Sequence, residues 1–323
     1  MNFKYISLAA LALFPASAFA GVSLNSAGAT FPAPLYQRWF GDYSQATGNR
    51  VNYQSVGSGA GVRQFVAGTV DFAASDEPIK QSEAAKVKRK VVQFPVVGGT
   101  IAVAYNKPGC TLKLTQKQTA DIFQGKVTNW AKLGCSSGPI AVVHRSDGSG
   151  TTFAFTSSLS DFSGDWKVKV GAGKAVSWPV GIGAKGNEGV AATVKNTPGA
   201  IGYTAVAFVK ENKLQSAAIQ NKAGNFTLPN LKGGQSALLS IRLDSNLAGE
   251  DSNPAGANSY PISTLTWVLA YEKGNGAKAG VIRDALRYML SPGAQSKADD
   301  LGYVPLKEGI LKQARQAINR ISP

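Results

Sequence analysis

The sequence predicts an α/β fold divided into two lobes. Short apolar runs such as Val91 to Val97 and Ile101 to Tyr105 have the length and composition of buried strands. Between such runs lie stretches with apolar residues at helical spacing, for example Pro34 to Tyr43. Strands that alternate with helices are typical of α/β proteins. The chain is also long enough to bury a large core and to form more than one lobe.

Residues 1–20 have the pattern of a cleaved secretory signal. Lys4 supplies a positive charge, and the largely apolar stretch Ile6 to Phe14 is too short to span a bilayer. Small residues in Ser17 to Ala20 occupy the positions that signal peptidase reads, so we expect cleavage after Ala20. The mature chain would then have 303 residues (323 − 20) and no cysteine at its start for lipid attachment. An ordinary buried N-terminal helix is the alternative.

Cys110 and Cys135 are the only two cysteines of the chain. In an oxidising compartment such a pair usually forms a disulfide, so we predict this bond; two unpaired thiols are the alternative. Two thiols and the single histidine, His144, are a poor set of metal ligands. We therefore expect neither a metal nor a cofactor.

The net charge of +15 makes the chain strongly basic. Such an excess can attract nucleic acid, an acidic membrane surface or an anionic ligand. The basic residues are dispersed, and the densest run, Lys86 to Lys90, comes without a nucleic-acid-binding motif. We expect the charge to draw in anions without identifying one, and we expect no nucleic-acid partner.

Four glycine-containing segments lie at predicted helix starts. A helix start leaves backbone N–H groups unpaired and carries a partial positive charge, so it is a natural site for an anion. Ser, Thr and Asp are also ordinary helix caps, and one such segment alone would predict only a cap. Three segments that combine glycine with hydroxyl groups favour an anion site. The segments are Gly28 to Pro34, Gly57 to Gly59, Asp147 to Thr151 and Gly186 to Gly189.

Two charged residues complete the candidate site. Arg145 offers a planar fork of donors that suits phosphate or carboxylate. Asp76 would repel an anion unless the ligand carries a proton that the carboxylate accepts. Phosphate near neutral pH keeps such a proton, whereas sulfate does not. The alternatives are a surface ion pair for Arg145 and a turn position before Pro78 for Asp76.

Six stretches occur together in an order that makes the pattern specific. They are GATFPAPLYQRW from Gly28, VNYQSVGSGAGVRQF from Val51, VDFAASDEPI from Val70, AVVHRSDGSGTTFAFTSSL from Ala141, GNEGVAATVKNTPGAIGY from Gly186 and YPISTLTWVL from Tyr260. They span most of the mature chain. With them the chain resembles the PstS family, the phosphate-binding proteins of phosphate-specific ABC transporters.

The resemblance implies a monomeric periplasmic receptor, not an enzyme. It would capture inorganic phosphate and deliver it to the membrane permease subunits of an ABC importer with their cytoplasmic ATPase. The implied fold is a type II-like periplasmic binding protein, with crossover strands that join the lobes and the ligand in the cleft. We expect one lobe from residues 21–104 and 264–323, another from residues 105–263, and a hinge near Tyr105 and Leu265.

The resemblance also implies the ligand contacts, position by position. Asp76 would accept the proton of the ligand, and Asp147 corresponds to the acid that holds the arginine. Gly59 to Gly61 stand where relatives often have a second serine and two glycines, so no hydroxyl contact is expected at position 59. Ser146 stands where relatives often have alanine. The expected contacts are Ala29, Thr30, Phe31, Ser58, Asp76, Arg145, Ser149, Gly150 and Thr151.

Three other functions compete with this interpretation. A binder of another oxyanion, sulfate or molybdate, would share the fold, and Asp76 is the feature that discriminates against it. A hydrolase built from His144, Asp147 and Ser149 is disfavoured, because three residues within one short loop cannot easily align as base, orienting acid and nucleophile. A secreted adhesion or scaffold protein would explain the signal but not the hydroxyl-bearing turns.

Overall fold

A computed structural model describes residues 21–323, and the predicted signal segment, residues 1–20, lies outside the described residues. The strands are β1 (Ser23–Gly28), β2 (Arg50–Ser55), β3 (Phe72–Ser75), β4 (Val91–Tyr105), β5 (Lys113–Leu114), β6 (Ala141–Arg145), β7 (Ile182–Ala184), β8 (Ala200–Ala205), β9 (Gln215–Ser216), β10 (Ala218–Gln220), β11 (Phe226–Thr227), β12 (Ser263–Tyr271) and β13 (Tyr303–Val304).

The helices alternate with these strands, as the sequence predicts. They are α1 (Ala33–Thr47), α2 (Ser58–Ala67), α3 (Gln81–Ala84), α4 (Gln116–Phe123), α5 (Gly150–Phe162), α6 (Gly164–Lys169), α7 (Gly186–Asn196), α8 (Val206–Asn212), α9 (Leu231–Leu238), α10 (Ala279–Met289), α11 (Pro292–Asp300) and α12 (Glu308–Ile318). No helix of the described residues is long and apolar enough to cross a membrane.

One mixed sheet runs through the described part of the chain in the order β2-β1-β3-β12-β4-β8-β6-β7, and β9 and β13 also pair with β4. The long strand β4 belongs to both halves of this sheet. Its residues 91–100 pair with β12, and its residues 101–105 pair with β8. A separate small sheet has the order β11-β10-β5. Because one continuous strand crosses the middle of the molecule, β4 connects the two halves.

Each half contains parallel strands that lead directly into helices. β1 pairs in parallel with β2 and β3, and β6 pairs in parallel with β7 and β8. Helices α1, α2, α5 and α7 begin just after β1, β2, β6 and β7. Since ligands of open α/β sheets bind beyond the carboxyl ends of the strands, this topology brings four helix starts to one place.

The two predicted strands Val91 to Val97 and Ile101 to Tyr105 form one strand, β4. Glycines 98 and 99 look like a break in the sequence, but they stay within the strand because their backbones pair with β12 and β13. Neighbouring side chains also pack closely onto them. A Cβ on Gly98 would lie 2.2 Å from Leu238 Cδ1, and one on Gly99 would lie 2.7 Å from Phe31 Cζ. Here glycine serves close packing, not a turn.

Helix α9 falls in the range 105–263 that we expected for the second lobe. It packs against β4, β12 and β13, all of which lie largely outside that range. The contact of Leu238 with Gly98 is part of this packing. The segment around α9 therefore covers the first half of the sheet, although it follows the second half in the chain.

Cys110 and Cys135 form a disulfide, as predicted, with their Cα atoms 5.4 Å apart. The bond closes a loop across a sequence separation of 25 residues. On the chain-entropy model, a disulfide that closes a loop of this length stabilises the folded state by about 3 kcal/mol.

We expect the double variant Cys110→Ser/Cys135→Ser to unfold at a lower urea concentration than the parent, with a free energy of unfolding lower by about 3 kcal/mol. Both cysteines lie away from the candidate site, so ligand affinity should stay within about twofold of the parent at a temperature where both proteins are folded. Equal urea midpoints for the two proteins would show that the bond contributes nothing to stability.

Candidate anion-binding site

The starts of α1, α2, α5 and α7 meet between the two halves of the sheet. The Gly59 amide donates to the Gly148 carbonyl over 2.8 Å, which joins the start of α2 to the loop before α5. The Asn187 amide, at the start of α7, donates over 3.0 Å to Oγ1 of Thr30, in the turn before α1. The predicted glycine-containing segments therefore converge, and their partial positive charges act on one volume.

Ser58 forms a junction inside this cluster. Its Oγ accepts hydrogen bonds from the Asp76 amide, at 3.2 Å, and from the Gly150 amide, at 3.1 Å. A serine hydroxyl has two acceptor lone pairs and one hydrogen. Because both lone pairs already accept hydrogen bonds, the Ser58 hydroxyl can only donate to a further partner. A donor suits an anionic ligand.

Asp76 is a buried carboxyl group at the centre of the site. Thr266 Oγ1 donates to its Oδ1 over 2.7 Å, and Thr151 Oγ1 donates to its Oδ2 over 3.4 Å. Burial raises the pKa of Asp76 to about 7, although these hydrogen bonds and the charge of Arg145 act in the opposite direction. Near neutral pH the Asp76 carboxyl group is thus present in both its protonated and its deprotonated form.

Arg145 is the buried cation of the site, with a side chain 1% exposed. Its Nε donates to Asp147 Oδ1 over 2.7 Å, and its Nη2 donates to Oδ2 over 2.5 Å. Its Nη1 is buried and has no hydrogen-bond partner among the described residues. A buried guanidinium donor without an acceptor is costly, so this atom points to an anionic ligand.

Asp147 holds the guanidinium in one orientation. Burial by itself would raise the pKa of Asp147, but the hydrogen bonds and charge of Arg145, together with a 3.0 Å bond from the Gly186 amide, outweigh it and lower the pKa. The carboxylate therefore stays charged at physiological pH. This pairing fixes the two donors that face Asp147 and leaves Nη1 for another partner.

The remaining predicted residues occupy the turns of the same cluster. Ser149 caps α5, because its Oγ accepts from the Thr152 amide at 3.0 Å. The carbonyls of Ala29 and Phe31 accept from Tyr53 and Tyr303 hydroxyls, each at 2.6 Å, which fixes the turn between β1 and α1. These bonds hold the segments that carry the expected residues against one another, and the contact of each residue with a ligand stays a prediction.

The residues of the competing hydrolase do not form a catalytic array. Ser149 serves as the cap of α5, and the His144 ring stacks on Trp178 with centroids 4.9 Å apart. Asp147 is engaged by Arg145, not by the histidine. Within residues 21–323, no three His, Cys, Asp or Glu side chains are grouped as metal ligands would be.

Two site residues escaped the sequence analysis. Thr266 donates to Asp76, and Asn187 contacts both Thr30 and Thr151. Both lie in parts of the chain that the sequence analysis singled out: Thr266 in the stretch from Tyr260, and Asn187 in the fourth helix-start segment. Neither carries a charge, so nothing in the sequence alone separated them from ordinary buried polar residues.

Gly150 allows a close approach between the start of α5 and the residues Asp76 and Ser58. A Cβ at this position would lie 2.6 Å from both Asp76 Cβ and Ser58 Oγ, and 2.7 Å from the Asp76 amide nitrogen. These distances are too short for any carbon contact, and all three atoms belong to Asp76 and Ser58, which hydrogen bonds of the cluster hold in place.

We therefore expect Gly150→Ala to lower the affinity for the anionic ligand at least tenfold, because the start of α5 can no longer reach Ser58. The exposed helical Gly164, where a Cβ would meet nothing within 4 Å, offers Gly164→Ala as the control that should keep parental affinity. Calorimetric titration of both variants measures the difference. Parental affinity in Gly150→Ala would mean that this close approach is not needed for binding.

Comparison with known proteins identifies relatives of this chain. The model of the PBP superfamily domain matches residues 15–292. The phosphate-binding protein PstS of Pasteurella multocida is 41% identical over 309 residues, which cover 90% of this chain and 88% of that protein. PstS of Haemophilus influenzae is 40% identical over 308 residues, which cover 90% of each chain. The chain belongs to the PstS family.

Solved structures support the fold of this PstS family member. A putative phosphate ABC transporter substrate-binding protein from Clostridium perfringens superposes with a TM-score of 0.68 at 20% identity, over 88% of this chain and 100% of that one. The phosphate-binding protein of Stenotrophomonas maltophilia gives 0.72 at 20% identity, over 92% and 94%. The chain therefore has the two-lobed periplasmic binding protein fold that its sequence predicts.

Proposed function

We propose that this PstS family member is a receptor that captures inorganic phosphate and delivers it to an ABC importer. One observation carries the choice of ligand: a buried carboxyl group, Asp76, lies among groups that attract anions, namely Arg145, several hydroxyl groups and the helix starts. Such a group is tolerated beside an anion that brings a proton, and phosphate brings one at neutral pH. The names of the relatives, all phosphate-binding proteins, agree with this choice.

The proposed binding mode assigns a role to each group. Arg145 Nη1 donates to a phosphate oxygen, and Asp76 accepts the proton that phosphate retains. The hydroxyl groups and the helix-start amides donate to the remaining oxygens. The proposed donors are the hydroxyl groups of Thr30, Ser58 and Ser149 and the backbone amides of Phe31 and Thr151. Ala29 and Gly150 are proposed to line the site, because their amides donate to the Ala74 carbonyl and to Ser58 Oγ.

Capture of the ligand requires the molecule to open. Thr30, Ser58 and Asp76 are all at most 2% exposed, so phosphate cannot reach them from solvent in this arrangement. We propose that two lobes move about Tyr105 and Leu265, where β4 and the segment into β12 cross between the halves. One lobe is residues 21–104 with 264–323 and the other is residues 105–263, except that the segment around α9 moves with the first lobe, on which it packs. Contacts such as Gly59 with Gly148 would form on closure.

The proposed setting is the periplasm. The secretory pattern of residues 1–20 would export the chain, and the closed receptor would be recognised, as a monomer, by the permease subunits of the importer. Binding and release need no covalent step, so we propose no enzymatic activity. A sulfate or molybdate receptor would gain no proton for Asp76 and is disfavoured.

Titration calorimetry of residues 21–323 at pH 8 tests the proposed ligand, after unfolding and refolding to strip any phosphate carried through purification. We expect one phosphate bound per chain. Absence of heat with phosphate, in a protein that has refolded, would contradict the proposal. Delivery is tested separately: the loaded chain should raise ATP hydrolysis by vesicles that contain the importer, and the unloaded chain should raise it less.

A further inference from the structure

Asn187 is a fully buried amide at the start of α7, and every hydrogen-bonding position of its side chain is used. Its Nδ2 donates to Thr30 Oγ1 over 2.7 Å and to Thr151 Oγ1 over 3.0 Å. Its Oδ1 accepts from the Ala205 amide at 2.9 Å and from Thr204 Oγ1 at 3.0 Å. The side chain thus connects the end of β8 to Thr30 and Thr151.

The orientation of this amide follows from its surroundings. The backbone N–H of Ala205 is a donor only, so the atom of Asn187 that faces it must be the carbonyl oxygen. The amino group must then face Thr30 and Thr151. A flip of the amide would place two donors against each other, so the assignment does not depend on distinguishing nitrogen from oxygen.

The consequence for Thr30 is a fixed direction of its hydroxyl hydrogen. Its Oγ1 accepts from the backbone N–H of Asn187 at 3.0 Å and from Nδ2 at 2.7 Å. A threonine hydroxyl has two lone pairs and one hydrogen, so Thr30 retains only the role of a donor. Any ligand oxygen at this position has to accept.

The consequence for Thr151 concerns Asp76. Thr151 Oγ1 accepts from Asn187 Nδ2 and lies 3.4 Å from Asp76 Oδ2, which accepts its hydrogen. The direction of this chain of hydrogen bonds, from Asn187 through Thr151 to Asp76, supports the carboxylate as an acceptor.

We infer that Asn187 is a positioning residue that determines the specificity of the site, by making Thr30 a donor to the ligand and Thr151 a donor to Asp76. This inference rests on the proposed function. It directs the protonated oxygen of phosphate away from Thr30 and towards Asp76, where the proton finds an acceptor. Asn187 acts through the two threonines and need not touch the ligand.

A double-mutant cycle in phosphate affinity tests the inference. Asn187→Ala and Thr30→Val should each weaken phosphate binding about tenfold or more, the range for hydrogen bonds to charged groups. Because Asn187 acts partly through the Thr30 hydroxyl, the double variant should lose clearly less than the product of the two single losses. Structural damage from Asn187→Ala is present in both backgrounds and cancels in the cycle. Losses that simply multiply would overturn the inference.

The matched control is Asn221→Ala. Asn221 is also buried and donates through Nδ2 to the carbonyls of Ala257 and Ser259, at 2.9 and 3.1 Å, away from the site. Its truncation should lower the melting temperature and leave phosphate affinity within about twofold, since distant sites act independently. A loss in Asn221→Ala as large as in Asn187→Ala would make the effect one of general stability and contradict the inference.

Asn187→Asp provides a second variant if the alanine protein does not fold. It keeps the oxygen that faces Ala205 and replaces the amino group by an acceptor, which reverses the polarity at both threonines. We expect at least a tenfold loss of phosphate affinity, and parental affinity would refute the inference. If the parent itself binds no phosphate, the proposed function fails first; if the parent binds and these variants behave as the parent does, only the role of Asn187 fails.

Discussion

The variant Arg145→Ala should bind phosphate at least a hundredfold more weakly than the parent, the largest loss expected for any single side chain. The change removes a buried cation and a charge-assisted hydrogen bond to the ligand. It also leaves the half-buried carboxylate of Asp147 without its cationic partner, so that its negative charge repels the anion. Each 1.4 kcal/mol lost from binding is a tenfold change in affinity. Calorimetric titration with phosphate at pH 8 measures the loss.

Two further variants separate the effect of the Arg145 charge on phosphate affinity from the effect of its shape and from that of removing any arginine. Arg145→Lys keeps the charge and loses the planar fork, so its affinity should lie between those of the parent and Arg145→Ala. Arg283→Ala removes an arginine that donates to the Ile321 carbonyl, away from the site, and should keep parental affinity. If Arg145→Ala lost no more than Ser58→Ala, which removes one hydroxyl, the arginine would lie at the edge of the site and not at its centre.

Sulfate should bind at pH 5 and be excluded at pH 8. Burial raises the pKa of Asp76 to about 7, so the carboxyl group is neutral at pH 5 and charged at pH 8. In its neutral form it donates a hydrogen bond to a sulfate oxygen and exerts no repulsion. In its charged form it repels sulfate and finds no proton to accept. The expected increase in sulfate affinity from pH 8 to pH 5 is at least tenfold, measured by titration at both values.

Asp76→Asn should remove this pH dependence, because the amide is neutral and a donor at every pH between 5 and 8. The variant should bind sulfate at pH 8, and its preference for phosphate over sulfate should fall at least tenfold. Asp71→Asn is the control, since Asp71 is an acid paired with Lys278 outside the site; sulfate should still be rejected by this variant at pH 8. Exclusion of sulfate by Asp76→Asn as complete as in the parent would show that another group selects the ligand.

The local features of the fold and site were predictable, because each depends on residues close in sequence. Pro34 to Tyr43 forms most of α1, and the glycine-containing segments do begin α2, α5 and α7. Arg145 and Asp76 stood out because a charged side chain beside a predicted anion site needs a partner. The disulfide followed from the cysteine count and the expected compartment.

The features that the sequence analysis did not predict depend on contacts between residues far apart in the chain. Gly98 and Gly99 continue β4 because they pair with β12 and β13, more than 160 residues further along the chain. Asn187 matters only because Thr30, 157 residues away, accepts its hydrogen bonds. A neutral polar residue gives no sign in the sequence of which partner it will meet, so its role becomes visible only in three dimensions.

A crystal structure of residues 21–323 grown with phosphate at pH 8 tests the central claim most directly. The account predicts one tetrahedral anion between the two halves of the sheet, within hydrogen-bond distance of Arg145 Nη1, with one of its oxygens on the Asp76 carboxylate at the short distance of a shared proton. An anion bound elsewhere, or one in this site that makes no contact with Asp76, would contradict it.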